Sequence, residues 1–69
     1  MAVLIELVNV HNHRIYLNTD CIRRVEPHNE EPPTSMIVYT AGDGERLFEV
    51  EGYMDEVAEF LNQKLRENS

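Results

Sequence analysis

Short apolar and β-branched runs alternate with turn-forming residues along most of the chain. Runs of this kind, bounded by Asn, Asp, Gly or Pro, predict β-strands that bury one or both faces. The C-terminal stretch has a different period, because its apolar residues recur every three or four positions. The short runs predict five strands, over residues 3–10, 14–17, 21–26, 36–40 and 46–51.

The first predicted strand is apolar on both of its faces. Val3, Ile5 and Leu7 share one face because side chains alternate along a strand, and Leu4 and Val8 share the other. Such a strand lies in the middle of a sheet, or its second face packs against a helix or another chain. The core of so small a domain supplies only about 3–5 kcal/mol. We therefore expect a homo-oligomer, in which self-association adds the burial that the short chain lacks.

Turn chemistry separates the predicted strands. Asn12 tolerates a left-handed backbone and suits a tight turn between the first two strands. Gly42 and Gly44 suit a turn between the last two strands. Pro27 is expected to end the third strand, and the polar stretch 28–35 predicts a mobile loop, because its two prolines have no N–H to donate to a sheet.

Residues 53–67 predict an amphipathic helix. Acidic residues come early in this stretch and basic residues late, which is the order that complements the helix dipole. Tyr53 and Phe60 lie at the margins of the apolar stripe, so they are candidates for apolar surface that the core does not use. The stripe itself comprises Met54, Val57, Ala58, Leu61 and Leu65.

Together these elements predict an α+β fold. It is a small antiparallel β-meander of four or five strands with one C-terminal helix packed on it. The 69 residues, 8.0 kDa in mass, suffice for a single domain over residues 1–69 and not for two cores. No apolar run approaches the roughly 20 residues that a transmembrane helix needs, so we expect no membrane insertion.

The charge of the chain is strongly acidic and unevenly distributed. The formal net charge is −7 and the isoelectric point is near 4.7. Residues 1–25 carry three arginines against two acids, whereas residues 26–69 carry three basic residues against eleven acids. Because acidic surfaces repel phosphate backbones, we expect no binding to nucleic acid. The acidic part of the chain would instead attract a basic protein.

The N-terminal residues and the single cysteine indicate the compartment. Cys21 cannot form an internal disulfide, so nothing points to an oxidising environment. The first residues lack a basic segment and meet an acid at Glu6, so a secretory signal peptide is not expected. We therefore expect a cytoplasmic protein.

Candidate catalytic and metal-binding residues are few. His11 and His13 would share one face of a strand and could supply two metal ligands, but Cys21 and His28 follow at no recognisable ligand spacing. We interpret the two histidines as turn residues and Cys21 as a small buried hydrophobe. The sequence therefore predicts a protein that is not an enzyme and that needs no metal or cofactor.

An ordered series of segments extends over nearly the whole chain. The segments are the apolar run 3–10, Ile-Tyr-Leu-Asn at 15–18, Asp-Cys-Ile-Arg-Arg-Val-Glu at 20–26, Pro-Thr-Ser-Met-Ile-Val-Tyr-Thr at 33–40, Gly44, and Val-Glu-Gly-Tyr-Met-Asp-Glu-Val at 50–57. In this order they resemble the FlbD/SwrD family of small flagellar proteins. The resemblance implies a cytoplasmic accessory of flagellar motility that acts by contact with a protein partner, for which it suggests a component of the flagellar motor.

Two functions fit these observations best. The first is a non-enzymatic protein-interaction module of the flagellar system, and the alternative is an acidic adaptor or regulator that binds a basic protein. A small metal-binding protein built on His11, His13 and Cys21 is less favoured. For contact with the partner, the sequence predicts an arginine pair, two glutamates of the proline-rich stretch and two aromatic residues beside the helix stripe. These are Arg23, Arg24, Glu30, Glu31, Tyr53 and Phe60.

Overall fold

The computed structural model describes residues 3–67 and has the predicted α+β fold. Five antiparallel strands precede one C-terminal helix, and a short 3-10 turn separates the second strand from the third. The elements are β1 (Leu4–Val8), β2 (Arg14–Asn18), the 3-10 turn (Thr19–Cys21), β3 (Ile22–Glu30), β4 (Pro33–Ala41), β5 (Gly44–Glu51) and α1 (Met54–Glu67). Within the described residues the strands form two sheets, β1-β2 and β3-β4-β5, rather than one continuous meander.

The 3-10 turn Thr19–Cys21 divides the two sheets. Asn18 ends β2, and its side-chain oxygen accepts a hydrogen bond from the backbone N–H of Asp20 at 2.9 Å. The Thr19 N–H donates to the carbonyl of Val3, which ties the end of β2 back to the start of the hairpin. Because the turn redirects the chain here, Ile22 starts a new sheet and does not pair with β2.

The prediction that the third strand ends at Pro27 and is followed by a loop over 28–35 is wrong, because most of these residues lie in strands. β3 continues to Glu30, and β4 begins at Pro33 after a turn whose Glu31–Pro32 peptide bond is cis. The side-chain amide of Asn29 donates to the Pro32 carbonyl at 3.0 Å and closes this turn. Pro27 is tolerated because β3 is an edge strand and its pairing with β4 shifts register there, so its missing N–H does not break the ladder.

The core lies between the β1-β2 hairpin, the three-stranded sheet and the helix. Ile37 of β4 is fully buried, and Phe48 of β5 lies beside it in register. The cluster consists of Ile5, Leu7, Leu17, Ile37, Phe48, Val50, Val57 and Leu61. The second apolar face of β1 is open to solvent, since Leu4 is 64% exposed. Self-association through this face therefore stays a prediction.

On the opposite face of the three-stranded sheet, a charged pair lies over the buried side chain of Val38. Val38 alternates with Ile37 and so points away from the core, yet it is fully buried. Arg24 on β3 and Leu47 on β5 flank Val38 in register, and the ion pair between Arg24 and Glu45 spans β4. Long charged side chains with apolar stems can cover an apolar residue in this way.

Candidate partner-binding grooves

A groove of about 550 Å³ lies where the β1-β2 turn, the end of β5 and the first turns of α1 meet. We call it the hairpin–helix groove. The buried side chains of Ile37, Val50 and Val57 form its floor. Val8 and Phe60 line its rim, where they are 43% and 40% exposed. The groove therefore presents apolar surface to a side chain that approaches from outside.

Asn9 shapes the hairpin side of this groove. Its side-chain oxygen accepts hydrogen bonds from the backbone N–H groups of His11 and His13, both at 2.9 Å. Asn12 has a φ of 65°, as the sequence predicts for a tight turn. The N–H of Val10 donates to the carbonyl of Glu49 at 3.1 Å and fastens the turn to β5. The hairpin side of the groove is thus held in place by the neighbouring strand.

Gly52 joins β5 to the helix at the opposite end of the groove. Its N–H donates to the Pro33 carbonyl at 2.9 Å, and its carbonyl accepts from the Ser35 hydroxyl at 2.9 Å. The helix begins at Met54, one residue later than the sequence predicts, and Tyr53 is its N-cap. Glu56 reaches back to the Tyr53 N–H at 3.1 Å, which is one half of a capping box.

Two further open grooves continue from the first around this junction. The second, about 730 Å³ in volume, shares Val10, Glu51 and Gly52 with the hairpin–helix groove. The third, about 650 Å³, shares Asn29, Pro33 and Thr34 with the second. The buried hydroxyl of Thr34 has no hydrogen-bond partner among the described residues. An unsatisfied hydroxyl costs free energy unless a ligand or a water molecule reaches it.

The charged residues that line these grooves are all acidic. Six carboxylate side chains take part, and neither lysine nor arginine occurs among the described lining residues. The carboxylates belong to Glu30, Glu31, Glu49, Glu51, Asp55 and Glu56. Like charges lining neighbouring concave surfaces add their fields, so the grooves attract cations and repel anions.

Four of the six predicted contact residues lie at the grooves. Glu30, Glu31 and Tyr53 line the third groove, and Phe60 lines the hairpin–helix groove. Tyr53 is 59% exposed, so its ring is accessible. The structure thus brings the adjacent Glu30 and Glu31 together with Tyr53, which follows them by more than twenty positions in the sequence.

The predicted arginine pair lies elsewhere, on β3. Arg24 donates a hydrogen bond to Glu26, and its guanidinium lies 3.5 Å from the Glu45 carboxylate. The hydrogen bond to Glu26, together with the negative charges of Glu26 and Glu45, raises the pKa of Arg24 above its ordinary value. Arg24 is therefore paired within the chain, while Arg23 is exposed beside it in the bulge of β3.

The residues that sequence reasoning missed are those at the junctions. Val10 and Glu51 each line two grooves, yet each lies at the end of a predicted strand, where the sequence assigns no role. Of these residues, only Gly52 has a local sequence signal for its role. A glycine between a predicted strand and a predicted helix indicates a positive φ, which other residues disfavour. No local pattern indicates that the β1-β2 turn meets the first helical turns.

The histidine and cysteine residues do not form a cluster. The rings of His11 and His13 are 6.4 Å apart, centroid to centroid, at the β1-β2 turn. Cys21 is half-buried in the 3-10 turn. Within residues 3–67, no three or more His, Cys, Asp or Glu side chains lie together in a way that could hold a metal ion.

Comparison with known proteins gives no further guide to function. No family model, no curated protein and no solved structure matches the chain. The one helix within residues 3–67 is too short and too polar to cross a bilayer.

Proposed function

We propose that the chain is a non-enzymatic protein-interaction module whose grooves bind a basic, partly apolar segment of a protein partner. One observation carries the proposal. Three adjoining grooves combine exposed apolar side chains with six carboxylates and contain no lysine or arginine among their described lining residues. This proposal unites the two functions that the sequence favours, because a protein-interaction module with such grooves is also an acidic adaptor.

Each groove has a defined task in this proposal. The hairpin–helix groove receives an apolar side chain between Val8 and Phe60, because burial of apolar surface supplies non-directional affinity. Glu51 lies between the first two grooves and pairs with a lysine or arginine of the partner. Glu30 and Glu31 extend the acidic surface beyond Tyr53. Exposed charges of this kind mainly raise the association rate, which falls as salt screens them.

Reversing one groove charge should weaken binding. We expect Glu51→Lys to lower affinity for a fluorescent peptide of several lysines around one leucine by about tenfold or more, because like charges then face each other. Asp43→Lys is the matched control: it makes the same change in net charge at the exposed β4-β5 turn, which lines none of the three grooves. Fluorescence anisotropy at low and at physiological salt measures both variants.

Two outcomes would count against this assignment. Equal losses for Glu51→Lys and Asp43→Lys would mean that net charge alone attracts the peptide. Unchanged affinity in Glu51→Lys, together with binding of an acidic peptide that the double variant Arg23→Glu, Arg24→Glu loses, would move the contact to β3, where the sequence also predicts it. Both arginines are exposed, so we expect this double variant to fold, and circular dichroism checks that it does.

The flagellar assignment rests on the sequence resemblance and is part of the proposal. A motor component with a basic segment would be a partner of the required charge. We expect deletion of the gene to reduce swarming or motor output, and the Glu51→Lys variant to restore motility less well than Asp43→Lys. Normal motility of the deletion strain would remove the flagellar part and leave the peptide-binding part unaffected.

A further inference from the structure

We propose that the outer face of the β1-β2 hairpin is the contact through which two copies of this chain form a symmetric dimer. This face, which we call the hairpin face, lies on the side of the hairpin opposite Ile5 and Leu7. It consists of Leu4, Glu6, Val8, Arg14 and Tyr16. The inference is separate from the proposed function, because it concerns a different partner and a surface that shares only Val8 with the grooves.

Three of the five side chains on the hairpin face are exposed apolar or aromatic groups. Leu4 is 64% exposed and Tyr16 67% exposed, and Val8 adds a third partly exposed apolar side chain. All three are on strands, where the ladder between β1 and β2 fixes their positions. A dimer contact therefore buries them with little further loss of backbone entropy.

The charges of the hairpin face select a second copy as its occupant. Glu6 and Arg14 form an ion pair, with the carboxylate 3.2 Å from the guanidinium, so the face has no net charge. The whole chain has a net charge of −7, so two copies repel each other over most of their surfaces. Repulsion is weakest where two neutral faces meet. A basic partner, in contrast, is drawn to the acidic grooves.

The ion pair is also self-complementary. In a two-fold contact the same patch meets itself, so Glu6 of each copy can pair with Arg14 of the other. Both charged side chains are exposed, with 43% of the Glu6 side chain and 71% of the Arg14 side chain accessible, so they are free to exchange partners. The contact then retains both ion pairs and gains apolar burial from Leu4 and Tyr16.

The dimer leaves most of the groove surface accessible. Neither Leu4 nor Tyr16 lines a groove, and only Val8 belongs to both the hairpin face and the hairpin–helix groove. Substitutions at Leu4, Glu6 and Arg14 therefore test the dimer without altering the residues that the proposed function uses.

The test is the solution mass of the full chain by analytical ultracentrifugation, from micromolar to millimolar concentration. We expect a monomer–dimer equilibrium whose dissociation constant rises at least about tenfold in Leu4→Lys. Leu47→Lys is the matched control. Leu47 is also an exposed leucine on a strand, with 60% of its surface accessible, but it lies on β5, on the face of the three-stranded sheet that points away from the core. A strict monomer throughout, or equal weakening by both variants, overturns the proposal.

A charge exchange tests the two-fold contact itself. Glu6→Arg and Arg14→Glu should each dimerise more weakly than the unaltered chain, because each places like charges in contact. An equimolar mixture of the two variants should form a heterodimer, since Arg at position 6 then meets Glu at position 14 and Arg14 meets Glu6. A mixture that stays as monomeric as its separate components contradicts the proposed pairing. Circular dichroism of each variant confirms that the fold is retained.

Discussion

Replacing Ile37 by alanine should leave a large fraction of the molecules unfolded. Ile37 is fully buried at the centre of β4, where it pairs with Val25 on one side and Phe48 on the other. Removing so much of a buried isoleucine costs about 2–5 kcal/mol, because apolar burial is lost and a cavity remains. A domain of this size has a total stability of only about 3–5 kcal/mol. Urea titration followed by circular dichroism measures the loss.

The control for this prediction lies on the next strand. Leu47 of β5 is 60% exposed, so Leu47→Ala should change the free energy of unfolding by about 0.5 kcal/mol or less. Ile37→Val keeps the fold and should cost about 0.5–1.5 kcal/mol, which gives a measurable transition if the alanine variant has none. All variants are compared at one protein concentration, because a dimer would add stability by mass action. Similar urea midpoints for Ile37→Ala and Leu47→Ala would show that Ile37 is not the centre of the core.

Gly52→Ala should be the most destabilising of the glycine substitutions. Gly52 has a φ of +111°, a conformation that residues with a side chain strongly disfavour. A Cβ atom there would lie 3.5 Å from a Glu56 carboxylate oxygen, so it fits in space and the cost comes from the backbone. The backbone cannot relax freely, because both the N–H and the carbonyl of Gly52 are hydrogen-bonded. We expect a loss of about 1–3 kcal/mol.

Gly44→Ala is the matched control for Gly52→Ala. No atom lies within 4 Å of a Cβ built on Gly44, and its φ is outside the left-handed range. The melting temperature should therefore hardly change in Gly44→Ala, whereas Gly52→Ala should melt at least about 5 °C lower. Equal melting temperatures would mean that the β5-α1 junction tolerates a different backbone. Peptide binding by the Gly52→Ala variant should also weaken, because this glycine helps to form the groove surface.

The sequence predicts most of the fold because the strands and the helix carry local patterns. Asn12 has the positive φ expected for a tight turn, and Gly42 has a φ of 60° in the two-residue turn before β5. Phe48 and Val50 are buried and alternate with the less buried Glu49 and Glu51, the local pattern that is typical of a strand with one face on the core. In each case a residue and its near neighbours determine the outcome.

The sequence does not predict features that depend on which elements meet. The stretch around Pro27 has the composition of a loop, but an edge strand with shifted pairing accepts proline, and being an edge strand is a property of the whole sheet. The grooves have the same origin, because Val10 and Glu51 acquire their role only when the hairpin turn is fastened to β5. Glu26 is a local partner of Arg24, but the second partner, Glu45, lies beside Arg24 only because β4 and β5 complete the sheet.

The strand order also has a consequence for the route by which the chain folds. Every strand ladder joins strands that are consecutive in the sequence, so each hairpin forms by closing a short loop. The β1-β2 hairpin, however, meets the rest of the molecule through the bond from Val10 to Glu49 and through the shared core cluster, whose members are as far apart in the sequence as Ile5 and Leu61. Short-range contacts form faster than long-range ones. We therefore expect the two hairpins of β3-β4-β5 to assemble first, and docking of the β1-β2 hairpin, which completes the core and the hairpin–helix groove, to be the late step of folding.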